Sequence, residues 1–216
     1  MSPTIFMIHG MWGGPWYWAN YRSLLEASGF RCLATTLPWH DMEPGGKPDA
    51  RLGTTSLRDY TNALAAEIEA LDEKPVLLGH SMGGLLAQML AARGLARAAV
   101  LLTPASPAGI IALAPSVIRG FWSIQTKWGF WRNPMRQTRA EAAWSMLNRL
   151  PPDQHAAILD QLVYESGRAA FEIGYWPLDS RKTTRVAATE VTCPLLVIAG
   201  SEDRLTPASV VRKVAD

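Results

Sequence analysis

Residues Gly79-His80-Ser81-Met82-Gly83-Gly84 stand between an apolar run, Pro75-Val76-Leu77-Leu78, and a small-residue stretch of helical spacing from Leu85 to Arg93. The order is strand, sharp turn, helix, with a serine at the centre of a G-x-S-x-G pattern. Such a turn forces its central residue into a strained backbone conformation. Glycines on either side let neighbouring chain approach where a Cβ would clash. The Ser81 hydroxyl is thereby expected to stand out at the top of a sheet, ready to act as a nucleophile. The N–H of Met82, in the first turn of the helix, favours negative charge developing beside it. The plainer alternative is a glycine-rich turn whose serine only caps the helix.

Working outward from this turn, the chain alternates strand and helix. Ile5 to Ile8 reads as a buried strand ending in His9-Gly10, and Trp16 to Ser28 as a helix stopped by Gly29, with Trp18, Tyr21, Leu24 and Leu25 on its apolar face. Arg31 to Leu37 is a second strand, followed by a Gly/Pro-rich loop from Trp39 to Thr55. Ser56, with Asp59 three residues on, caps a helix that carries Leu57, Tyr60, Leu64, Ile68 and Leu71 on one face. The strands at 76–78 and 99–103 are continuously apolar, as in a parallel sheet covered on both faces. From Pro104 to about Ala188 no convincing buried strand appears. Thr138-Arg139-Ala140-Glu141 is a capping box opening a helix expected to run to Pro151, and further helices are expected over 153–164 and 168–175. Sheet pattern resumes at Pro194 to Gly200, and a last helix starts with Thr206 as N-cap and Pro207 at its first position. The expected fold is α/β: a mostly parallel sheet with helices on both faces, formed by residues 1–104 and 189–216, and a helical cap formed by residues 105–188.

Composition narrows the function classes. The 216 residues are 48% hydrophobic, and 21 basic against 19 acidic side chains give a net charge of +2. This balance carries no electrostatic footprint for nucleic acid or an anionic membrane. No apolar stretch approaches the roughly 18 residues of a membrane span. The start lacks a basic leader and runs straight into a strand, so no signal peptide is expected. Cys32 and Cys193 each adjoin an apolar run and are expected to be free buried thiols, which fits a cytoplasmic location. No Cys/His cluster has metal-ligand spacing, and no cofactor is implied.

The turn at Ser81, the helical cap and the strand before Gly200 together resemble the α/β-hydrolase superfamily over essentially the whole chain. The opening His9-Gly10-Met11-Trp12-Gly13-Gly14-Pro15-Trp16 looks like the compact plant methylesterase and hydroxynitrile lyase group over roughly the first hundred residues, while the aromatic cap looks more like that of bacterial small-molecule hydrolases and lipase-like esterases. The resemblance implies Ser81 as nucleophile and an oxyanion hole made by the N–H groups of Met11 and Met82, each donor being worth about 3 kcal/mol to a tetrahedral intermediate. Gly200-Ser201-Glu202-Asp203-Arg204-Leu205-Thr206-Pro207 looks like the loop that carries the triad carboxylate. Asp203 is the first candidate and Glu202 the substitute, its role being to orient a histidine and stabilise its imidazolium. His9 reads as structural and His80 as a packing residue. Trp12, Trp122, Trp128 and Trp131 are candidates for an apolar pocket wall.

One member of the expected set is missing. In this superfamily the order is Ser, acid, His, and here His9, His40, His80 and His155 all precede Asp203. His155 would serve only if the cap swung it onto Ser81, and His40 reads as a loop hydrogen-bonding residue. The expectation is that the chain is the N-terminal part of a longer reading frame, with a final strand and helix absent. The function expected from the resemblance is hydrolysis of a small or medium apolar carboxylic ester through an acyl-enzyme, with no nucleic-acid or metal partner. The alternatives are a non-catalytic ligand-binding protein of the same fold, or another Ser-His-Asp chemistry: C–C or amide hydrolysis, perhydrolysis, or hydroxynitrile lysis.

Overall fold

The computed structural model describes residues 3–216; Met1 and Ser2, at the head of the expected core unit, lie outside the described residues. Five strands, β1 (Thr4–Ile8), β2 (Arg31–Ala34), β3 (Val76–His80), β4 (Ala98–Leu102) and β7 (Leu195–Ile198), form one sheet in the order β2-β1-β3-β4-β7. Every neighbouring pair is parallel: Ile5 lies opposite Cys32 and Val76, Leu77 opposite Ala99, and Leu101 opposite Val197. The α/β expectation therefore holds. The chain leaves β1 for β2 on one side and returns with β3 on the other, so the order reverses between β1 and β3. In open parallel sheets a crevice opens at the carboxyl ends of the strands at such a switch point, here between the loops after Ile8 and after His80.

Alternation along the strands divides the apolar residues between two faces. Phe6, Ile8, Leu77 and Leu101 turn toward α2 (Leu57–Glu69) and α3 (Met82–Ala92), meeting Leu64, Leu86 and Leu90. Ile5, Met7 and Leu78 turn to the other face and pack with Trp18 and Cys32. The capping box at Ser56 forms as expected, with Asp59 accepting from the Ser56 N–H at 2.9 Å. Ser56, however, also donates to Glu172 from a helix more than a hundred residues away, and Glu172 takes the Leu57 N–H at 2.8 Å. A buried carboxylate thus completes the N-terminus of α2, where the helix dipole favours it.

Between β4 and β7 lie α4 (Pro115–Gly120), α5 (Trp122–Gln125), α6 (Arg139–Met146), α7 (Pro152–Leu159) and α8 (Gly167–Gly174). Two short strands missed by the sequence reading, β5 (Pro134–Met135) and β6 (Glu165–Ser166), pair antiparallel among these helices. Two-residue strands are too short to show a period of two. Ile124, Phe130, Met135, Leu147 and Leu159 from this connection join the same cluster as the α2/α3 side of the sheet.

Several boundaries differ from expectation for local reasons. The segment read as one helix from Trp16 is a 3-10 turn, Pro15–Trp18, followed by α1 (Ala19–Ala27). Its apolar face is largely unburied: Tyr21 is 47% and Leu24 67% exposed, Trp18 is buried, and Leu25 packs only partly against the core. The second strand stops at Ala34, and Thr35 turns its hydroxyl to Glu67 of α2. The last helix, α9 (Ala208–Ala215), is preceded by Pro207, not capped by Thr206, because the Thr206 hydroxyl donates to Asp203 instead. Both cysteines are free, with Cys32 buried and Cys193 only partly so. Leu195, Leu196 and Ile198 on the outer strand β7 are each about half exposed. No helix among the described residues is long and apolar enough to cross a membrane.

Burial separates two leucines of equal size. Leu86→Ala, in the fully buried face of α3, is expected to lower unfolding free energy by about 2–5 kcal/mol. Leu24→Ala on α1 should change it by less than about 0.5 kcal/mol. Urea unfolding followed by circular dichroism measures both, and a loss above 2 kcal/mol for Leu24→Ala would show that α1 is buried after all.

Candidate active site

The turn after β3 has the geometry its residues demand. Ser81 sits at φ 53, ψ −118, a conformation that an L-residue keeps only when its surroundings over-determine it. Those surroundings are backbone bonds: the Ser81 N–H donates to Leu102 O at 3.0 Å, and its carbonyl accepts from Gly84, Leu85 and Ala105. Two glycines make the turn possible. A Cβ on Gly79 would lie 2.3 Å from the Gly83 carbonyl oxygen, and one on Gly83 would lie 2.1 Å from that of Ile8. Helix α3 can therefore begin directly against β1, which brings the loop of residues 9–13 beside Ser81. A Cβ on Gly10 would stand 3.0 Å from Ser81 Cβ.

The 9–13 loop is organised by His9, which is wholly buried. Its Nε2 accepts from the Leu37 N–H at 3.3 Å, so the proton sits on Nδ1, which donates to the Gly10 carbonyl at 2.9 Å. Burial, reinforced by the nearby His40, pushes the His9 pKa down to about 3 from 6.5, so the ring is neutral at any ordinary pH. The Gly10 carbonyl and the Met11 N–H belong to one planar trans peptide and point in opposite directions. With the carbonyl held by His9, the N–H faces away from that ring. Neither the Met11 nor the Met82 N–H has a hydrogen-bond partner among the described residues.

These groups open onto one cavity of about 890 Å³. Met11, Trp12, Ser81, Met82 and Asp203 all line it, so the structure brings together the expected nucleophile, acid and oxyanion donors. Among the described residues five non-glycines have positive φ, and three of them, Trp12, Ser81 and Thr103, lie on this wall. Backbone strain thus concentrates around the cavity. Asp203 is fixed by its own loop: Oδ1 accepts from the N–H groups of Leu205 at 2.8 Å and Thr206 at 2.7 Å, and Oδ2 from the Thr206 hydroxyl at 3.0 Å. Glu202 lines the cavity too, but its carboxylate pairs with the exposed Arg149.

The expectation for three tryptophans is corrected. Trp122, Trp128 and Trp131 do not line the cavity; Phe121, Ile124 and Phe130 do. The chain breaks between α4 and α5 at Phe121, whose φ of −110 resets the helical phase. Phe121 turns inward against Trp12, and Trp122 is left 60% exposed. Trp128 is 93% exposed, and Trp131 packs among Trp128, Phe130 and Phe171. Tyr17, unremarked in the sequence, also lines the cavity, and burial raises its phenol pKa so that it stays protonated. Its only sequence signal is its place in an aromatic cluster next to the glycine loop.

No histidine bridges Ser81 and Asp203. His155 bonds the Leu150 carbonyl at 2.9 Å, and His40 is bonded to Glu165. His80 alone of the four lines the cavity. Its Nδ1 is buried without a partner, and burial lowers its pKa while Asp203 pulls the other way. Among the described residues no three His, Cys, Asp or Glu side chains converge as metal ligands.

A family model described as the alpha/beta hydrolase family matches residues 5–216. Salicylic acid-binding protein 2 of Nicotiana tabacum is 36% identical over 81 residues, 37% of this chain and 30% of that protein. Polyneuridine aldehyde esterase of Rauvolfia serpentina is 35% identical over 82 residues, 37% of this chain and 29% of its own length. The matched stretch thus spans less than a third of these relatives. Among solved structures, an extracellular alpha/beta-hydrolase from a Paenibacillus species superposes with a TM-score of 0.72 at 19% identity, covering 95% of this chain and 81% of that one. A methylesterase from Arabidopsis gives 0.69 at 14% identity, covering 99% and 84%. At these identities the likeness is one of fold.

The bonding of His9 has a direct spectroscopic signature. Long-range 1H–15N spectra of the imidazoles should show it as the neutral Nδ1–H tautomer, unchanged from pH 5 to pH 9. A titration inside that range would contradict the arrangement of the 9–13 loop.

Proposed function

The chain belongs to the alpha/beta hydrolase family, and from that membership we propose that its residues supply the nucleophile, acid and oxyanion hole of a serine hydrolase acting on small or medium apolar carboxylic esters. The observation that carries the reading is the strained Ser81, facing a cavity shared with Asp203 and two N–H groups without partners. The Ser81 oxygen attacks the ester carbonyl and loses its proton to an imidazole base. The negative charge passing to the carbonyl oxygen is taken up by the N–H groups of Met11 and Met82. The intermediate collapses to an acyl-serine as the alcohol leaves with the proton, and water repeats the sequence to release the acid. Asp203 holds the imidazolium. The base belongs between Ser81 and Asp203, and none of the four histidines here occupies that position.

The apolar substrate class is supported by the side chains that turn inward, Met11, Trp12, Phe121, Ile124 and Phe130, which make the cavity surface more apolar than polar. We read residues 105–188 as a cap whose Phe121 and Ile124 set the length of the acyl group. A second reading, a ligand-binding protein without turnover, is favoured by the same missing imidazole and has its own outcome in the test.

Treatment with a fluorophosphonate, followed by peptide mass spectrometry, should place the adduct on Ser81 alone and lose it in Ser81→Ala. Residues 1–216 by themselves should hydrolyse p-nitrophenyl butyrate at no more than the about 10³–10⁴-fold over water that an oxyanion hole alone sustains. Labelling of a different serine overturns the nucleophile, and a Ser81 that takes up no label while the cavity still binds an apolar ester favours the binding protein. Phe121→Ala in the active form should raise kcat/KM for octanoyl relative to acetyl esters by about tenfold, the worth of a few methylenes in a pocket. An unchanged ratio would remove Phe121 from the specificity wall.

A further inference from the structure

Behind the 9–13 loop lies a group of buried polar side chains that the proposed chemistry does not use. Glu165, the first residue of β6, and His40, in the loop after β2, are both fully shielded from solvent. Glu165 Oε2 lies 3.1 Å from His40 Nε2. Its Oε1 accepts from the Tyr60 hydroxyl at 2.8 Å and from the Ser166 N–H at 2.6 Å. The other ring nitrogen of His40, Nδ1, lies 3.0 Å from the Pro38 carbonyl oxygen. With Glu165 ionised, as its lowered pKa favours, each nitrogen faces an acceptor, and a ring protonated on both satisfies the two contacts. A buried carboxylate without a counter-charge costs several kcal/mol, so the imidazolium answers the needs of both groups.

This pair grips the 9–13 loop from two sides. The His40 ring lies 5.2 Å from that of His9, which bonds the Gly10 carbonyl. Two residues before Glu165, the Val163 N–H donates to the Trp12 carbonyl at 2.9 Å. Trp12 has φ 63, a strained conformation that this bond helps to hold. The two routes meet on either side of Met11.

We propose that His40 and Glu165 are positioning residues whose buried charged pair clamps the 9–13 loop to the connection between β4 and β7, and so sets the direction of the Met11 N–H. Its bearing on catalysis rests on the assignment of Met11 as an oxyanion donor; the clamp itself does not. The groups around the pair are His9 on β1's loop, Asp41 beside His40, Tyr60 with Asp59 on α2, Tyr17 before α1, and Glu172 on α8. Burial acts against the charge on His40, but Glu165, the Pro38 carbonyl and Asp41 together raise its pKa above 6.5. Burial likewise acts against Glu165, and His40, Ser166 and Tyr60 together lower its pKa below 4.5. A raised histidine contributes fully below 6.5 and loses its contribution as pH climbs through the raised value. A lowered carboxylate contributes above 4.5 and loses it as pH falls. The clamp is therefore complete between about pH 4.5 and 6.5 and loosens on the alkaline side.

Two measurements on the protein test this without any assay of turnover. Imidazole 1H–15N spectra, with His40 assigned by its absence in His40→Gln, should show both ring nitrogens protonated at pH 6.5 and released only at higher pH. Glu165→Gln should bring that release below pH 6.5. Amide hydrogen exchange, corrected for its intrinsic pH dependence, should speed up together in residues 10–13 and 162–166, by at least tenfold, when His40 titrates. Glu165→Gln should produce the same change at pH 6. A neutral His40 at pH 6, or exchange that rises in 162–166 while 10–13 stays protected, overturns the clamp. The wild-type pH series does not use Glu165→Gln, so failure of that variant to fold leaves the test intact. In an active form, loosening the clamp should lower kcat at least tenfold with KM within twofold. Absence of any turnover with the clamp observed by exchange counts against the hydrolase reading and not against the clamp.

Discussion

The arrangement depends on one steric fact: the backbone of α3 starts in contact with the backbone of β1. With only hydrogen at Gly83, its Cα can approach the Ile8 carbonyl to a distance that no side chain allows. The same absence at Gly79 lets the strand fold sharply into the helix. Because of this contact Ser81 is driven to positive φ, the first free N–H of α3 stands beside the serine hydroxyl, and the loop after β1 lies against it. The switch in strand order between β1 and β3 opens space above this contact, and the connection between β4 and β7 roofs it with Phe121, Ile124 and Phe130. Displacing α3 by the width of a methyl group would open this contact and move Ser81 away from the 9–13 loop.

This part of the molecule was legible in the amino-acid sequence because it is local. Gly79, Ser81 and Gly83 are residue types required by a backbone shape, and their placement between an apolar run and a helical run states which shape. Ser56 and Asp59 were legible in the same way. What escaped was set by phase and by distance along the chain. Trp122 carried the stronger apolar signal, but a break at Phe121 rotates the helix and turns the smaller ring inward. The apolar residues of α1 suggested a buried face, and only the neighbouring Trp18 is buried. His40 and Glu165 are 125 residues apart, and nothing near either one announces the other.

Histidines show how far context outweighs identity. Three of the four are tied to hydrogen-bond partners, while His80 Nδ1 is buried without one. His9 is neutral because it accepts one N–H and donates to one carbonyl in a buried site; His40, whose nitrogens face the Pro38 carbonyl and Glu165, is pushed toward its charged form. His155 serves a carbonyl at the turn before α7. His80 lies on the cavity wall yet meets neither the Ser81 hydroxyl nor the Asp203 carboxylate in a hydrogen bond. Polar groups buried beneath the 9–13 loop hold it from below, and apolar groups of the β4–β7 connection cover the cavity from above. Together they enclose the cavity from both sides; in the proposed chemistry, fixed N–H dipoles in such a site would act on a developing charge without reorganising.

The central claim is that the close contact between α3 and β1 aims the N–H groups of Met11 and Met82 at one point beside the Ser81 oxygen. A crystal structure of the protein carrying a phosphonate on Ser81 tests it most directly, since the phosphoryl oxygen occupies the place of the oxyanion. The account predicts that oxygen at about 2.7–3.1 Å from both N–H groups, with the His9 to Gly10 bond unchanged. An adduct whose phosphoryl oxygen turns to solvent, or reaches only one of the two N–H groups, would contradict it.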